Sequence, residues 1–258
     1  MNKLKSVAVL AAAAPLALVF AGTASAQPGP QTFTSNLKPV PLNGQNNASG
    51  MLTLTLNGNV ATIHEQVSGV AMTFMGAPFP HVQHIHGGAQ GICPTAAADA
   101  NHDGVISTSD GQPSYGAIQT TLSLAPGGTT AADGTNIKIA PSGSSFTYDR
   151  TITLDQTTLN SINSHIAVIV VHGLDPATAP KAAGTSKSEI PGTTALPLAA
   201  TAPALCGALV ASPTGAVATG GGGTAGLQDP ALLALGGGLL LAAGGSVIVR
   251  RRAQRTSV

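Results

Sequence analysis

The sequence contains no tryptophan, and aromatic residues make up only 3% and charged residues 8% of its 258 positions. The charges are also unevenly placed, because six of the eleven basic residues lie in the two terminal segments. Between Gln27 and Asp229, five basic residues face all ten acidic ones, which leaves a net charge of −5. Nucleic-acid binding requires a basic surface. This composition therefore argues against a nucleic-acid partner.

The first residues have the organisation of a secretory signal peptide, predicted over 1–26. Lys3 and Lys5 form a basic start, Val7 to Phe20 form an apolar stretch, and Ala24-Ser25-Ala26 is a small-residue cleavage site. The alternative is a buried or membrane helix. We expect an exported protein whose mature chain starts with an extended segment, 27–48.

The C-terminal part predicts a membrane anchor. A Gly/Thr-rich linker, 212–229, precedes an uncharged stretch at 230–249 that is long enough to cross a bilayer as a helix. The basic tail, 250–258, follows at once, and the positive-inside rule places it in the cytoplasm. The order of these features resembles a cell-wall sorting signal without its LPxTG pentapeptide. The expected location is the cell surface, with the membrane as partner and the cell wall as a second candidate.

Cysteine is scarce as well. In an exported chain two cysteines suggest one disulfide, and only Cys93 with Cys206 can pair within the chain. Two free thiols, or a bond to another chain, remain as alternatives.

Between the termini the pattern is that of β-strands. Leu52, Leu54 and Leu56 alternate with threonines before the turn Asn57-Gly58, which predicts a hairpin. Further strands are predicted at 60–67, 82–86, 115–124, 136–140, 146–154, 165–172 and 204–210. Asp155 can cap a short helix over 155–164. Many short strands with one short helix favour an all-β sandwich or barrel, placed at 49–211.

An acidic loop at 99–110 matches the twelve-residue calcium-binding pattern of an EF-hand. Oxygen donors recur at the required spacing, and Gly104 occupies the turn position. The predicted calcium ligands are Asp99, Asn101, Asp103, the carbonyl of Val105, Ser107 and Asp110. Asp110 stands where glutamate is usual. The alternative is a solvated turn without an ion.

Two histidines offer a second metal site. His84 and His86 are two positions apart, so on a strand they point to the same face. His172 ends a continuous apolar run that we expect to lie beside them. Imidazole nitrogens bind copper or zinc. Three histidines on a β scaffold therefore make a candidate copper site.

Three motifs in this region resemble those of Cu,Zn superoxide dismutases: HVQHIHGGAQGIC at 81–93, IVVHGLDP at 169–176, and ALCGAL around Cys206. The opening SGMLTLTLNGN at 49–59, together with the HIHG motif, resembles the chordin-type CHRD domain of exported bacterial proteins. These resemblances imply a Greek-key, superoxide dismutase-like β-barrel. They also imply that His84, His86 and His172 are copper ligands and that Cys93 and Cys206 form the disulfide. No residues match the zinc ligands or the arginine that guides superoxide.

The expected function is that of a surface-anchored CHRD-like domain that binds calcium and copper without catalysis. The alternatives are a copper-only superoxide dismutase and an extracellular copper-binding protein, both of which would use the same three histidines. Zinc is not an expected cofactor.

Overall fold

Alternation of buried and exposed side chains builds an antiparallel sheet in the computed structural model, which describes residues 29–191 and 195–213. In β3, for example, every second residue from Ala61 to Val67 is buried and those between are exposed. Within the described residues the strands are β1 (Gln31–Pro39), β2 (Ser49–Asn57), β3 (Val60–Ser68), β4 (Thr73–Phe74), β5 (Ala77–Pro78), β6 (Gln83–Gly87), β7 (Ala117–Thr121), β8 (Ser145–Thr153), β9 (Val168–His172), β10 (Pro203–Ala208) and β11 (Val210–Ala211).

The strands form one large curled sheet in the order β7-β6-β9-β10-β1-β2-β3-β8, with β11 also pairing with β1. All of its pairings are antiparallel, and β4 and β5 make a separate small hairpin. The sheet is a half-barrel. Near its two edge strands, the guanidinium of Arg150 in β8 donates to the carbonyl oxygens of Ser123 and Ala125, at 2.7 and 2.8 Å.

Helices are few and short. In the described ranges they are α1 (Thr108–Tyr115), α2 (Gln156–Asn163), α3 (Lys181–Thr185) and α4 (Leu198–Thr201), with 3₁₀ turns at Ala96–Ala98, Ala131–Asp133 and Ile137–Ile139. The predicted cap of α2 is confirmed, because the Asp155 carboxylate accepts from the backbone N–H of Thr158. None of these helices is long and apolar enough to span a bilayer.

The concave side of the sheet encloses the main hydrophobic core, to which Phe33, Leu54, Ile85 and Ile169 contribute. The opposite side of β6 and β9 is covered by a second cluster, which includes Tyr115 of α1. All residues of β6 and β9 are therefore buried. This double burial explains why β9 is a continuous apolar run in the sequence.

Three segments differ from the sequence-based expectation. The segment 27–48 contains β1, a strand inside the sheet, whose pattern was hidden because Ser35 occupies a buried position. The stretch 136–140 was expected to be a strand but forms a 3₁₀ turn. Helix α1 was not expected, because Gly111 and Pro113 are poor helix formers.

The predictions for the ends of the chain lie outside the described residues. They comprise the signal peptide at 1–26, most of the linker at 212–229, the membrane anchor at 230–249 and the tail at 250–258.

Candidate metal centre

Two neighbouring strands bring the three predicted histidines together. In the β6–β9 pairing, His84 lies opposite Val170, and the backbone N–H of His172 donates to the carbonyl of Val82 at 2.8 Å. His84 and His86 share a face because they are two residues apart. The ring centroids are 4.9 Å apart for His84 and His172, 5.5 Å for His84 and His86, and 5.8 Å for His86 and His172. One ring nitrogen of each residue lies within 4.8 Å of the other two.

One ring nitrogen of each histidine is held by a backbone carbonyl. His84 Nε2 is 2.9 Å from the oxygen of Gly134, and His86 Nδ1 is 2.9 Å from that of Gly116. His172 Nδ1 is 2.6 Å from the oxygen of Thr201. A carbonyl oxygen only accepts, so each of these nitrogens carries the proton. The contacts therefore determine the tautomer of all three rings.

The other nitrogen of each ring has no partner. His84 Nδ1, His86 Nε2 and His172 Nε2 are buried and make no hydrogen bond to any part of the chain that the structure describes. An unpaired buried nitrogen is costly for a folded protein. Here three such lone pairs belong to one cluster, in which each ring donates its other N–H to an acceptor that orients it. This is the arrangement that metal-ligating histidines adopt.

Burial keeps the three rings uncharged. His84, His86 and His172 are 1%, 1% and 2% exposed. Burial, followed by repulsion from the neighbouring histidines, places the pKa of His84 well below its usual value. Burial lowers the pKa of His86 to about 3 and that of His172 to about 4. At neutral pH the rings thus have the deprotonated nitrogens that metal binding needs.

A small cavity of about 20 Å³ adjoins His84 and His172. Its other lining residues are mostly apolar and include Ile118, Ile137 and Leu196. A cavity of this size holds about one water molecule. Among the residues that the structure describes, no lysine or arginine lines it.

Sequence reasoning missed the groups that orient the rings, which are backbone carbonyls of Gly116, Gly134 and Thr201. A backbone carbonyl leaves no side-chain signature. The glycines carry the only local signal, since a Cβ on Gly134 would lie 2.7 Å from Ile118 Cδ1 and 3.2 Å from His84 Nε2. Gly116 caps α1 with φ of 90°, and a Cβ there would lie 2.0 Å from the oxygen of Gly87.

The remaining described histidines lie outside this cluster. His81 is fully buried, and its two ring nitrogens lie 2.9 Å from the carbonyl oxygens of His172 and Ala71. It therefore supports the backbone of one ligand. His64 is exposed on β3, as its position in the strand predicts, and contacts the Asp149 carboxylate. His102 lies within the acidic loop.

The acidic loop curls around the first of its predicted calcium ligands. The Asp99 carboxylate accepts from the backbone N–H groups of Asp103 and Gly104, at 3.1 and 3.0 Å. Asp103 in turn accepts from the N–H of Val105 at 2.9 Å. Gly104 has φ of 83°, a conformation that glycine adopts without strain.

Two further contacts bear on the calcium pattern. Ser107 and Asp110 form a capping box at the start of α1, because the Asp110 carboxylate accepts from the Ser107 N–H and hydroxyl, at 3.0 and 2.8 Å. From a distant segment, the Glu189 carboxylate accepts from the Asn101 amide at 3.3 Å. Glu189 was not predicted as part of this region.

Within the described residues, the three acids of the loop do not form a second group of His, Cys, Asp or Glu with ligand atoms mutually within 4.8 Å; the histidine cluster does. The predicted disulfide is confirmed, since Cys93 and Cys206 are bonded across a sequence separation of 113. It attaches the segment before the acidic loop to β10.

No protein-family model, curated protein or solved structure matches this chain. Support for a metal site therefore comes from the geometry of this chain alone. It presents a buried site of three neutral imidazoles that could bind a metal ion.

Proposed function

We propose that this protein is an exported, surface-anchored β domain that binds copper at His84, His86 and His172, in a binding role without catalysis. The observation that supports it is the group of three unpartnered, buried ring nitrogens. Imidazole donors suit copper. A structural zinc site would be expected to have four protein ligands.

The surroundings of the site favour binding over superoxide dismutation. Superoxide is an anion, but none of the described residues that line the adjoining cavity is a lysine or arginine. The segment between Gln27 and Asp229 also has a net charge of −5. An acidic surface slows the approach of anions. A copper-only superoxide dismutase remains the second candidate, because the cavity beside His84 and His172 has room for one small ligand.

Metal analysis after copper loading tests this function. We expect one tightly held copper ion per chain in the purified protein, and loss of it in His86→Gln. His64→Gln is the matched control, because His64 is an exposed histidine on another strand. A parent protein that holds no copper would overturn the proposal. Rapid superoxide turnover by the copper-loaded protein would replace the binding role with the enzymatic one.

We also propose that the acidic loop binds calcium through Asp99, Asn101, Asp103, the Val105 carbonyl, Ser107 and Asp110, as the sequence pattern predicts. Asp110 accepts both capping-box hydrogen bonds through Oδ2, and the carboxylate of Glu189, which contacts Asn101, would supply a further and longer acidic ligand. Hard cations such as calcium prefer oxygen ligands of this kind.

Thermal unfolding with and without calcium tests this second site. Calcium should raise the melting temperature of the parent and have little effect on Asp99→Ala. Asp149→Ala is a suitable control, since Asp149 is an exposed acid on β8. If calcium leaves the melting temperature of the parent unchanged, the loop is a solvated turn.

The family and location are part of the same proposal. The half-barrel is compatible with the Greek-key, superoxide dismutase-like fold of CHRD domains. Export predicts a mature N-terminus at Gln27, and the anchor predicts recovery in the membrane fraction. Mass spectrometry of the purified protein and cell fractionation test these two points.

A further inference from the structure

The three ligand rings supply an uncharged and incomplete donor set. Each ring offers one neutral nitrogen, because its other nitrogen donates to a backbone carbonyl. Within the described residues, no aspartate, glutamate, cysteine or further histidine joins the group. Divalent copper prefers four or more ligands in a tetragonal arrangement, whereas monovalent copper is satisfied by three nitrogen donors.

The surroundings offer little to complete that set. The cavity beside His84 and His172 has a volume of about 20 Å³. Two of the hydroxyl groups that line it are already engaged, since Thr108 donates to the Thr201 carbonyl at 2.5 Å and Thr201 donates to Ser188 Oγ at 3.0 Å. A ligand that enters this cavity from outside must be about the size of a water molecule.

The lack of a compensating charge at the site also favours monovalent copper. Burying a charge in a protein interior is unfavourable unless an opposite charge accompanies it. Solvation cost rises with the square of the charge, so an uncompensated divalent ion is penalised far more than a monovalent one. The site contributes no negative charge to offset either ion.

The rings have little freedom to adapt. All three are buried, and the β6–β9 pairing fixes the backbone on which they stand. Each ring is also hydrogen-bonded through its other nitrogen to a backbone carbonyl, of Gly116, Gly134 or Thr201. Any movement of a ring toward another coordination geometry would strain these contacts.

We infer that the His84–His86–His172 site selects monovalent copper over divalent copper. This inference rests on the proposed copper-binding function. The protein would then hold Cu(I) outside the cell, and divalent copper would bind only with the help of an external ligand.

Two competition titrations test the selectivity on the purified protein. Cu(I) is titrated without oxygen against a Cu(I)-specific chromophoric chelator, and Cu(II) is titrated in air against a Cu(II) chelator. We expect Cu(I) to bind more tightly by about 100-fold or more. The buried site is neutral, so the larger desolvation cost of the divalent ion is not offset. Equal affinities, or tighter binding of Cu(II), would overturn the inference. Absence of both ions would instead refute the proposed function.

A redox-inert probe provides a second measurement that does not depend on activity. Silver(I) should occupy the site and shift the NMR signals of His84 Nδ1, His86 Nε2 and His172 Nε2, while their partner nitrogens keep their hydrogen bonds. His86→Gln should lose this response and His64→Gln should retain it. Shifts at other residues only, or a parent that binds nickel(II) more tightly than silver(I), would count against selection of a monovalent ion.

Discussion

Glu65 is a buried carboxyl group inside the sheet, apart from the metal centre. It is fully buried on β3, and within the described ranges neither of its carboxylate oxygens has a hydrogen-bond partner. Burial raises its pKa to about 8. The side-chain amide of Gln83 lowers the pKa of Glu65 in part, but it does not reach hydrogen-bonding geometry. Burial is therefore the larger effect, and the pKa rises. Glu65 is therefore protonated at neutral pH.

This protonation predicts that stability falls as pH rises. Below about pH 4.5 the carboxyl is protonated in both folded and unfolded chains. From there to about pH 8 only the unfolded chain releases the proton, so this residue lowers the free energy of unfolding by about 1.4 kcal/mol per pH unit. Glu65→Gln should remove this slope and stabilise the protein most at pH 8.

Chemical denaturation between pH 4 and pH 9 measures the effect. Asp149→Asn is the control, because that acid is exposed on β8. Parallel pH profiles for the parent and Glu65→Gln would contradict the assignment. At the scale of single residues, the alternating pattern of β3 predicts that Glu65 faces inward. Only the fold shows that its carboxyl group has no hydrogen-bond partner among the described residues.

At the scale of elements, α1 begins within the acidic loop. Ser107 is its N-cap, and Asp110 completes the capping box. The pattern Ser107-Thr108-Ser109-Asp110 was a local signal for this helix start. It was obscured because the same residues end the calcium-binding pattern, and because Gly111 and Pro113 follow.

The two roles of Asp110 can be separated. If it mainly caps α1, Asp110→Ala should lower the free energy of unfolding by about 1 kcal/mol even when a chelator has removed calcium. The calcium-dependent rise in melting temperature should persist, because other residues bind the ion. Asp110→Asn retains a side-chain acceptor and serves as the control. An alanine variant as stable as the parent in chelator would exclude the capping role.

At the scale of the whole molecule, the disulfide joins distant parts of the chain. Cys93 and Cys206 are separated by 113 residues, which include the acidic loop, β7, β8 and β9. Cys93 follows β6, and Cys206 lies in β10, which pairs with β9. The disulfide therefore links the chain after one ligand-bearing strand to the neighbour of the other.

Removal of this bond should be costly. In the chain-entropy model a loop of this length contributes about 4 to 5 kcal/mol to stability. The double variant Cys93→Ala/Cys206→Ala should lose most of that amount in denaturant unfolding, and reduction of the parent should have a similar effect. The double variant should also bind copper more weakly. Its disulfide no longer holds the chain after Cys93, and this part of the chain leads to Gly116, which orients His86. A loss below about 1 kcal/mol would show that the unfolded chain gains little freedom.

The sequence by itself determined the local features of this protein. The two-residue spacing places His84 and His86 on one face, alternation predicts most of the strands, and Asp155 marks the start of α2. A count of two cysteines leaves one intramolecular pair. Each of these inferences uses only neighbouring residues or simple counting, so a linear chain contains the information.

The tertiary structure decided what depends on contacts between distant segments. Pairing of β6 with β9 brings His172 to the other two histidines, and burial makes all three rings neutral. Carbonyl oxygens from three separate segments determine which nitrogen of each ring stays free. Backbone groups are the same at every residue, so no sequence pattern marks them. Only the fold could show that all three histidines of one buried cluster have an unpartnered ring nitrogen among the described residues.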